Sequence, residues 1–200
     1  TIFTLMSIVS AMRLIDLGFY DKIVYVRNSI ESLDKGEDIG YLSGNDEKFR
    51  VYNMAVQDTL EFIAKKQLKK SESKDNPESI EMKISELQSK YCIETLCPGE
   101  ARGRTLSSAI VIMDEWQNSS EKTTQLILSR LDESCMAIVI GSNRQIDNLY
   151  LNKYNNGLTT LLKQTNETHP ELKMFAIELD KAVRGKFAQF TERIFENKKQ

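Results

Sequence analysis

The stretch SAIVIMDEWQNSS, residues 108–120, decides the fold. Its five apolar residues from Ala109 to Met113 form an unbroken run, the pattern of a short strand covered on both faces. Two acids, Asp114 and Glu115, close the run, and Ser119 and Ser120 then stand where the next helix needs a cap. Outward from here the alternation repeats. The segment EKTTQLILSRL (121–131) reads as a helix and CMAIVIGSN (135–143) as a second buried strand. Strand, helix, strand in that order is a right-handed parallel crossover. Upstream, the run from Thr1 reads as a buried helix and KIVYVR (22–27) as a strand covered on both faces. Downstream, GLTTLLKQT (157–165) reads as a helix and ELKMFAIEL (171–179) as a strand. RGKFAQFTERIFENK (184–198) follows as a helix, with Phe187, Phe190, Ile194 and Phe195 on one face. The expected fold is α/β, a mostly parallel sheet with flanking helices.

Between these elements the reading is plainer. Apolar residues recur at helical spacing from Phe49 to Ile63, predicting an amphipathic helix over 47–66. Residues 29–49 carry Gly36, Gly40 and Gly44 with acids between them and read as a long loop. Residues 65–79 turn polar without an apolar period, and SIEMKISELQSKY (79–91) reads as a solvent-facing helix. One domain over 1–200, with a polar insertion at about 65–90, is the expectation.

Composition excludes little but sets bounds. The 200 residues carry a net charge of −2, so any polyanion contact must come from local clusters. Cys92, Cys97 and Cys135 are odd in number and no secretory leader is read, which favours reduced thiols in a cytoplasm. The single histidine, His169, is remote from them in sequence and is expected in a loop or at a helix end, so no zinc cluster is expected. Arg13 and Asp16 interrupt the apolar opening too early for a membrane span.

The chemistry lies in the paired acids. Open α/β sheets bind ligands at the carboxyl ends of their strands, and an apolar strand ending in Asp-Glu is a Walker B pattern. In that reading Asp114 holds Mg²⁺, usually through water, and Glu115 polarises the water that attacks a γ-phosphate. Against it stands a plainer reading, two acids that merely end a strand. Trp116, beside them, either fills the core or offers a stacking face. Arg27, Arg102 and Arg104 are candidates for nucleotide or nucleic-acid phosphates, because guanidinium forks match phosphate geometry. The lysines from Lys65 to Lys74 read either as a solvated face or as a strand-binding surface.

Several linked segments resemble the PhoH-like family, P-loop NTPases of the RecA-like type. YDKIVYVR and KGEDIGYLSG are similar to the family's strand-Arg-Pro and Gly-Glu-x-Leu-Gly-x-Leu-Pro-Gly segments, ARGRTL (101–106) to Arg-Gly-Arg-Thr-Leu, IVIMDEWQN to Asp-Glu-Ala-Gln-Asn, and GSNRQID (141–147) to Gly-Asp-x-x-Gln-x-Asp. Asn28, Trp116 and Ser142 depart from the family's Pro, Ala and Asp, and KAVRGKF keeps only Val183 and Arg184 of its Val-Val-Arg-His-Pro.

The resemblance implies an ATPase that uses ATP and Mg²⁺, coupled to RNA or single-stranded DNA as in helicase-like relatives, and assembled as a homo-oligomeric ring. It implies roles for particular residues. Gln145 would report the γ-phosphate, and Arg184 would stabilise phosphate charge. Thr1 falls where the last Thr of the Walker A loop stands, on the metal and the nucleotide, so the family's first strand and phosphate loop are expected upstream of this sequence. The rival expectation is a non-catalytic module, derived from a P-loop fold but lacking Walker A, that binds nucleic acid or protein.

Overall fold

Four short strands pair as one parallel sheet in the computed structural model, which describes residues 2–27, 45–68, 76–178 and 190. The strands are β1 (Lys22–Arg27), β2 (Glu94–Leu96), β3 (Ala109–Asp114) and β4 (Met136–Val139), in the spatial order β2-β1-β3-β4. The β1–β3 register runs from Lys22 opposite Ala109 to Arg27 opposite Asp114. All six residues of β3 are buried, as its unbroken apolar run requires of a strand with neighbours on both sides and helices on both faces.

Alternation along β1 and β3 sorts the core into two layers. Ile23, Tyr25, Ile110 and Ile112 meet Ile8, Ala11 and Met12 of α1 (Ile2–Asp16) and Val56, Leu60 and Ala64 of α2 (Asn45–Gln67). Val24, Val26, Val111 and Met113 meet Trp116, Ile127 of α4 (Glu121–Leu128) and Leu158 of α5 (Gly157–Gln164). The helices are bounded by ordinary caps. Gly18 takes a left-handed φ of +79° after α1, and its N–H donates to the Ile15 carbonyl at 2.8 Å. Ser120 caps α4 by accepting the Thr123 N–H at 3.1 Å. Gly157 opens α5 where a Cβ would lie 1.9 Å from Thr124 Oγ1, so only a glycine lets α5 approach α4 this closely.

By its internal packing the chain falls into two compact units, residues 1–163 and residues 164–200. In the second, the Leu172 N–H donates to the His169 carbonyl at 3.3 Å and the His169 ring contacts the Gln164 carbonyl at 3.1 Å. His169 thus sits in the loop after α5, as the sequence suggests.

Three expectations change. The helix after the polar stretch is α3 (Pro77–Lys90), capped by Asn76, and it is not solvent-facing all round. Ile80, Leu87 and the adjoining Tyr91 are buried in the α1/α2 layer. They form a narrow stripe at i, i+7 and i+11 that the surrounding charges obscure in sequence. The run 135–143 forms a strand, but not a buried one. β4 pairs only with β3 among the described residues, and Met136 and Ala137 are exposed, because an edge strand lacks a second neighbour. Residues 171–178 form no strand, and Phe175 and Ile177 are almost fully exposed. Alternation there supplies a strand-like face without any ladder to join. The loop at 28–44, the polar residues 69–75, and the helix expected at 184–198, apart from Phe190, lie outside the described residues.

The buried stripe of α3 is testable. Leu87→Ala should lower the unfolding free energy by about 2–5 kcal/mol, while Met82→Ala on the exposed face should change it by less than about 0.5 kcal/mol. Equal effects in denaturant melts would return α3 to the surface.

Candidate active site

The carboxyl end of β3 meets the first turn of α1, the end of β1 and the 3₁₀ turn Trp116–Asn118. Asp114 is only 2% exposed, and a buried carboxylate must be compensated. Three donors do this. Thr4 Oγ1 donates to its Oδ2 at 2.9 Å, the Tyr25 hydroxyl donates to the same oxygen at 2.5 Å, and the Glu115 N–H donates to Oδ1 at 3.0 Å. Burial, then the charge of Asp114, push the Tyr25 phenol far above its ordinary pKa, with Arg27 opposing weakly. Tyr25 therefore stays protonated and remains a donor.

Glu115 has a left-handed backbone, φ +53° and ψ +40°, a conformation that costs a residue with a Cβ about 1–2 kcal/mol. The kink turns the chain out of the sheet and leaves Glu115 half-buried at the rim. It is held by the buried 3₁₀ turn behind it. The Trp116 N–H donates to the Ile140 carbonyl at 2.9 Å, continuing the β3–β4 pairing, and the indole N–H donates to Thr124 Oγ1 at 2.9 Å. Trp116 is thus a fully buried core residue and not a stacking face. Gln117 Nε2 donates to Glu115 Oε2 at 2.7 Å. Asn118 Oδ1 accepts the N–H groups of Asp147 and Asn148 at 2.8 and 3.2 Å, pinning the loop after β4.

The structure brings some candidates together and leaves others apart. Asp114, Glu115 and Arg27 share the sheet's carboxyl edge, with Arg27 level with Asp114 in the register. The Gln145 side chain is exposed, but its carbonyl accepts from Gln117 at 2.8 Å. Arg104 is engaged elsewhere, since its Nη2 lies 2.9 Å from Glu94 Oε2, and Lys22 reaches the same carboxylate at 3.1 Å. Burial alone would raise the Glu94 carboxyl, but hydrogen bonds from Arg104 and Lys22 outweigh it and hold it below its ordinary range. Glu94 is level with Val24 and Asp114 with Arg27, three residues or about 10 Å further along the strands. Arg102 is exposed. Lys65 pairs with Glu61 and Lys66 lies over the Phe62 ring, while Lys69, Lys70, Lys74, Thr1, Asn28 and Arg184 lie outside the described residues.

The residues present fit a Mg²⁺–nucleotide site. No group of three or more His, Cys, Asp or Glu side chains converges among the described residues. Mg²⁺ takes one or two carboxylates and completes its shell with water and substrate phosphates. A carboxylate offers about four lone-pair sites. Three of those on Asp114 are filled, which leaves a place on Oδ1 for a metal-bound water. Thr4 of α1 abuts this carboxylate, and residues 2–5 of the helix carry no acid to repel it.

Thr4, Tyr25 and Gln117 were not picked out by sequence reasoning. Gln117 was within reach, being part of the quoted Asp-Glu-x-Gln-Asn segment. Tyr25 and Thr4 read as ordinary strand and helix residues, and only the register sets them against Asp114.

Comparison with known proteins agrees with the geometry. Residues 3–196 match the family described as PhoH-like protein. Protein PhoH2 of Bacillus subtilis is 31% identical over 150 residues, covering 74% of this chain and 31% of that protein. A PhoH-like protein of Synechocystis is 32% identical over 129 residues, 64% of this chain and 34% of its own length. Protein PhoH2 of Mycolicibacterium smegmatis is 28% identical over 163 residues, 80% of this chain and 33% of its own. The chain spans about a third of the length of these relatives.

Two substitutions probe the site's construction. Tyr25→Phe removes one donor to a buried charge and should cost about 1–3 kcal/mol in stability, read by denaturant melting. An unchanged midpoint would show that Asp114 does not depend on the phenol. Glu115→Gly should be more stable than Glu115→Ala by about 1 kcal/mol, since glycine relieves the left-handed backbone. Equal stability would argue that the kink carries no strain.

Proposed function

The chain belongs to the PhoH-like family, a P-loop NTPase family, and from that premise we propose that it binds ATP with Mg²⁺ and hydrolyses it at the carboxyl end of β3. The observation that carries the reading is the buried Asp114, held by Thr4 and Tyr25 beside a half-buried Glu115 that has its own supporting amide. The left-handed backbone of Glu115, a conformation shared by Cys92 before β2 and Ser108 before β3, aims the second acid away from the sheet.

Mg²⁺, when bound, neutralises phosphate charge. Asp114 would hold it through water, with Thr1, three residues before Thr4 in the sequence, as the second residue proposed on the metal and nucleotide. Glu115 accepts the proton of the attacking water as its oxygen bonds to the γ-phosphorus, and the bond to the bridging oxygen breaks to release ADP. Arg27, level with Asp114, is placed to meet phosphate charge. Arg104 would have to leave Glu94 to do so. Gln145 and Arg184 keep their proposed roles toward the γ-phosphate. We extend the reading to RNA or single-stranded DNA as the polymer coupled to hydrolysis and to a homo-oligomeric ring, with exposed Arg102 as a phosphate contact. No helix among the described residues is long and apolar enough to cross a membrane.

The rival is a non-catalytic binding module. Ser142, which stands where the family has Asp, contacts Gln117 through its backbone N–H at 3.0 Å, a donor that any residue but proline supplies.

Glu115→Gln should slow ATP hydrolysis by the full chain about 10²- to 10⁴-fold while leaving nucleotide affinity within about twofold. Unchanged turnover would remove Glu115 as the base, and a chain that binds no Mg²⁺–ATP would favour the binding module. RNA or DNA affinity should fall linearly on a log–log salt plot, and a flat plot would exclude phosphate contacts.

A further inference from the structure

The 3₁₀ turn after β3 carries two buried polar side chains, Gln117 and Asn118, and the first of them touches the proposed base directly. Gln117 has 0% exposure, yet its amide is fully engaged. Nε2 donates to Glu115 Oε2 at 2.7 Å and to the Gln145 carbonyl at 2.8 Å, and Oε1 accepts the Ser142 N–H at 3.0 Å. An amide has two N–H donors, and here one goes to the acid at the end of β3 and the other to the loop after β4.

No other side chain of this size makes the same link. Glutamate in its place would have no donor and would repel Glu115. Methionine would fill the volume and leave the Ser142 N–H and the Gln145 carbonyl without this partner. The neighbouring backbone is fitted to the amide as well. A Cβ on Gly141 would lie 2.5 Å from Gln117 Oε1 and 2.8 Å from Leu158 Cδ2, so glycine there leaves the room the amide occupies.

We infer that Gln117 is a positioning residue. It fixes the Glu115 carboxylate and ties its orientation to the loop at residues 141–148, so that a displacement of that loop turns or releases the base. The inference rests on the hydrolysis reading for its effect on rate, but not for the link itself. The same loop carries Gln145, whose carbonyl and not its exposed amide reaches the network. A ligand-dependent movement of the loop would therefore be transmitted through the amide of Gln117.

The test uses the full chain with Gln117→Met, Glu115→Gln and the pair combined, each checked for an unchanged far-ultraviolet spectrum. Gln117→Met should lower kcat for Mg²⁺–ATP by about 10²-fold, the cost of a misplaced group, with KM within about twofold. In the Glu115→Gln background it should lower kcat no further, since it acts only through that acid. A full second loss in the double variant, or an unchanged kcat in the single one, overturns the inference. If Gln117→Met does not fold, Gly141→Ala displaces the amide from the other side and should show the same non-additivity with Glu115→Gln.

If the wild-type chain shows no turnover, the hydrolysis reading fails, and amide hydrogen exchange decides the link on its own. Glu115→Ala should speed exchange at residues 142–148 in the wild-type background but not in Gln117→Met. Identical responses in the two backgrounds would overturn the coupling.

Discussion

A carboxylate taken out of water costs several kcal/mol unless the protein replaces its hydration, and Asp114 imposes that requirement on three elements at once. Its hydration is replaced by a hydroxyl from α1, a phenol from β1 and the backbone N–H of the next residue. The register must therefore place Tyr25 and Asp114 on the same face of the sheet. A slip of one residue between β1 and β3 would turn Tyr25 toward Trp116 and Ile127, taking one of the acid's three donors away and placing a phenol hydroxyl in an apolar layer. The apolar contacts of the sheet supply most of the driving force for burial, but they would tolerate several arrangements. The acid narrows them to one.

The same requirement explains why the site has a firm side and a yielding side. β1 and β3 are sealed between two helical layers, and both hydroxyls that hold Asp114, from Thr4 and Tyr25, come from there. Glu115 projects the other way, past a left-handed kink, onto a short 3₁₀ turn whose outer support is the end of the edge strand β4 and the loop beyond it. Few apolar contacts anchor that loop, with Leu149 and Tyr150 largely exposed, so its attachment rests on polar contacts: the amides of Gln117 and Asn118 on one side, and Asn143 with Thr159 and Asn156 on the other. Regions of this kind open at lower free energy than a core strand. The residue proposed for the metal is thereby rigid, while the residue proposed for the proton is adjustable.

Much of the fold was legible in the residues. Unbroken apolar runs marked β1 and β3 because full burial on both faces leaves no room for alternation, and Ser120 marked the start of α4 by its capping chemistry. The site's two acids were legible for the same reason, since polar residues directly after such a run must lie at a sheet edge. Where the reading failed, the missing information was non-local. Residues 171–178 have the composition of a strand, but a strand exists only with a partner. The stripe on α3 was diluted by charges, and its burial depended on the sheet beneath it. The pairing of Arg104 with Glu94 likewise depends on the fold, since the two residues lie ten apart with no shared periodic pattern.

By itself, then, the sequence determined the α/β class, the parallel crossover through α4 and the position of Asp114 and Glu115 at a strand end, because each follows from periodicity or capping over a few neighbouring residues. Only the tertiary structure decided that Thr4 and Tyr25 support Asp114, that Trp116 belongs to the core, and that Gln117 joins Glu115 to a loop some thirty residues on. Those contacts depend on strand order and register, which are set by the simultaneous packing of both faces of the sheet and leave no local trace in the chain.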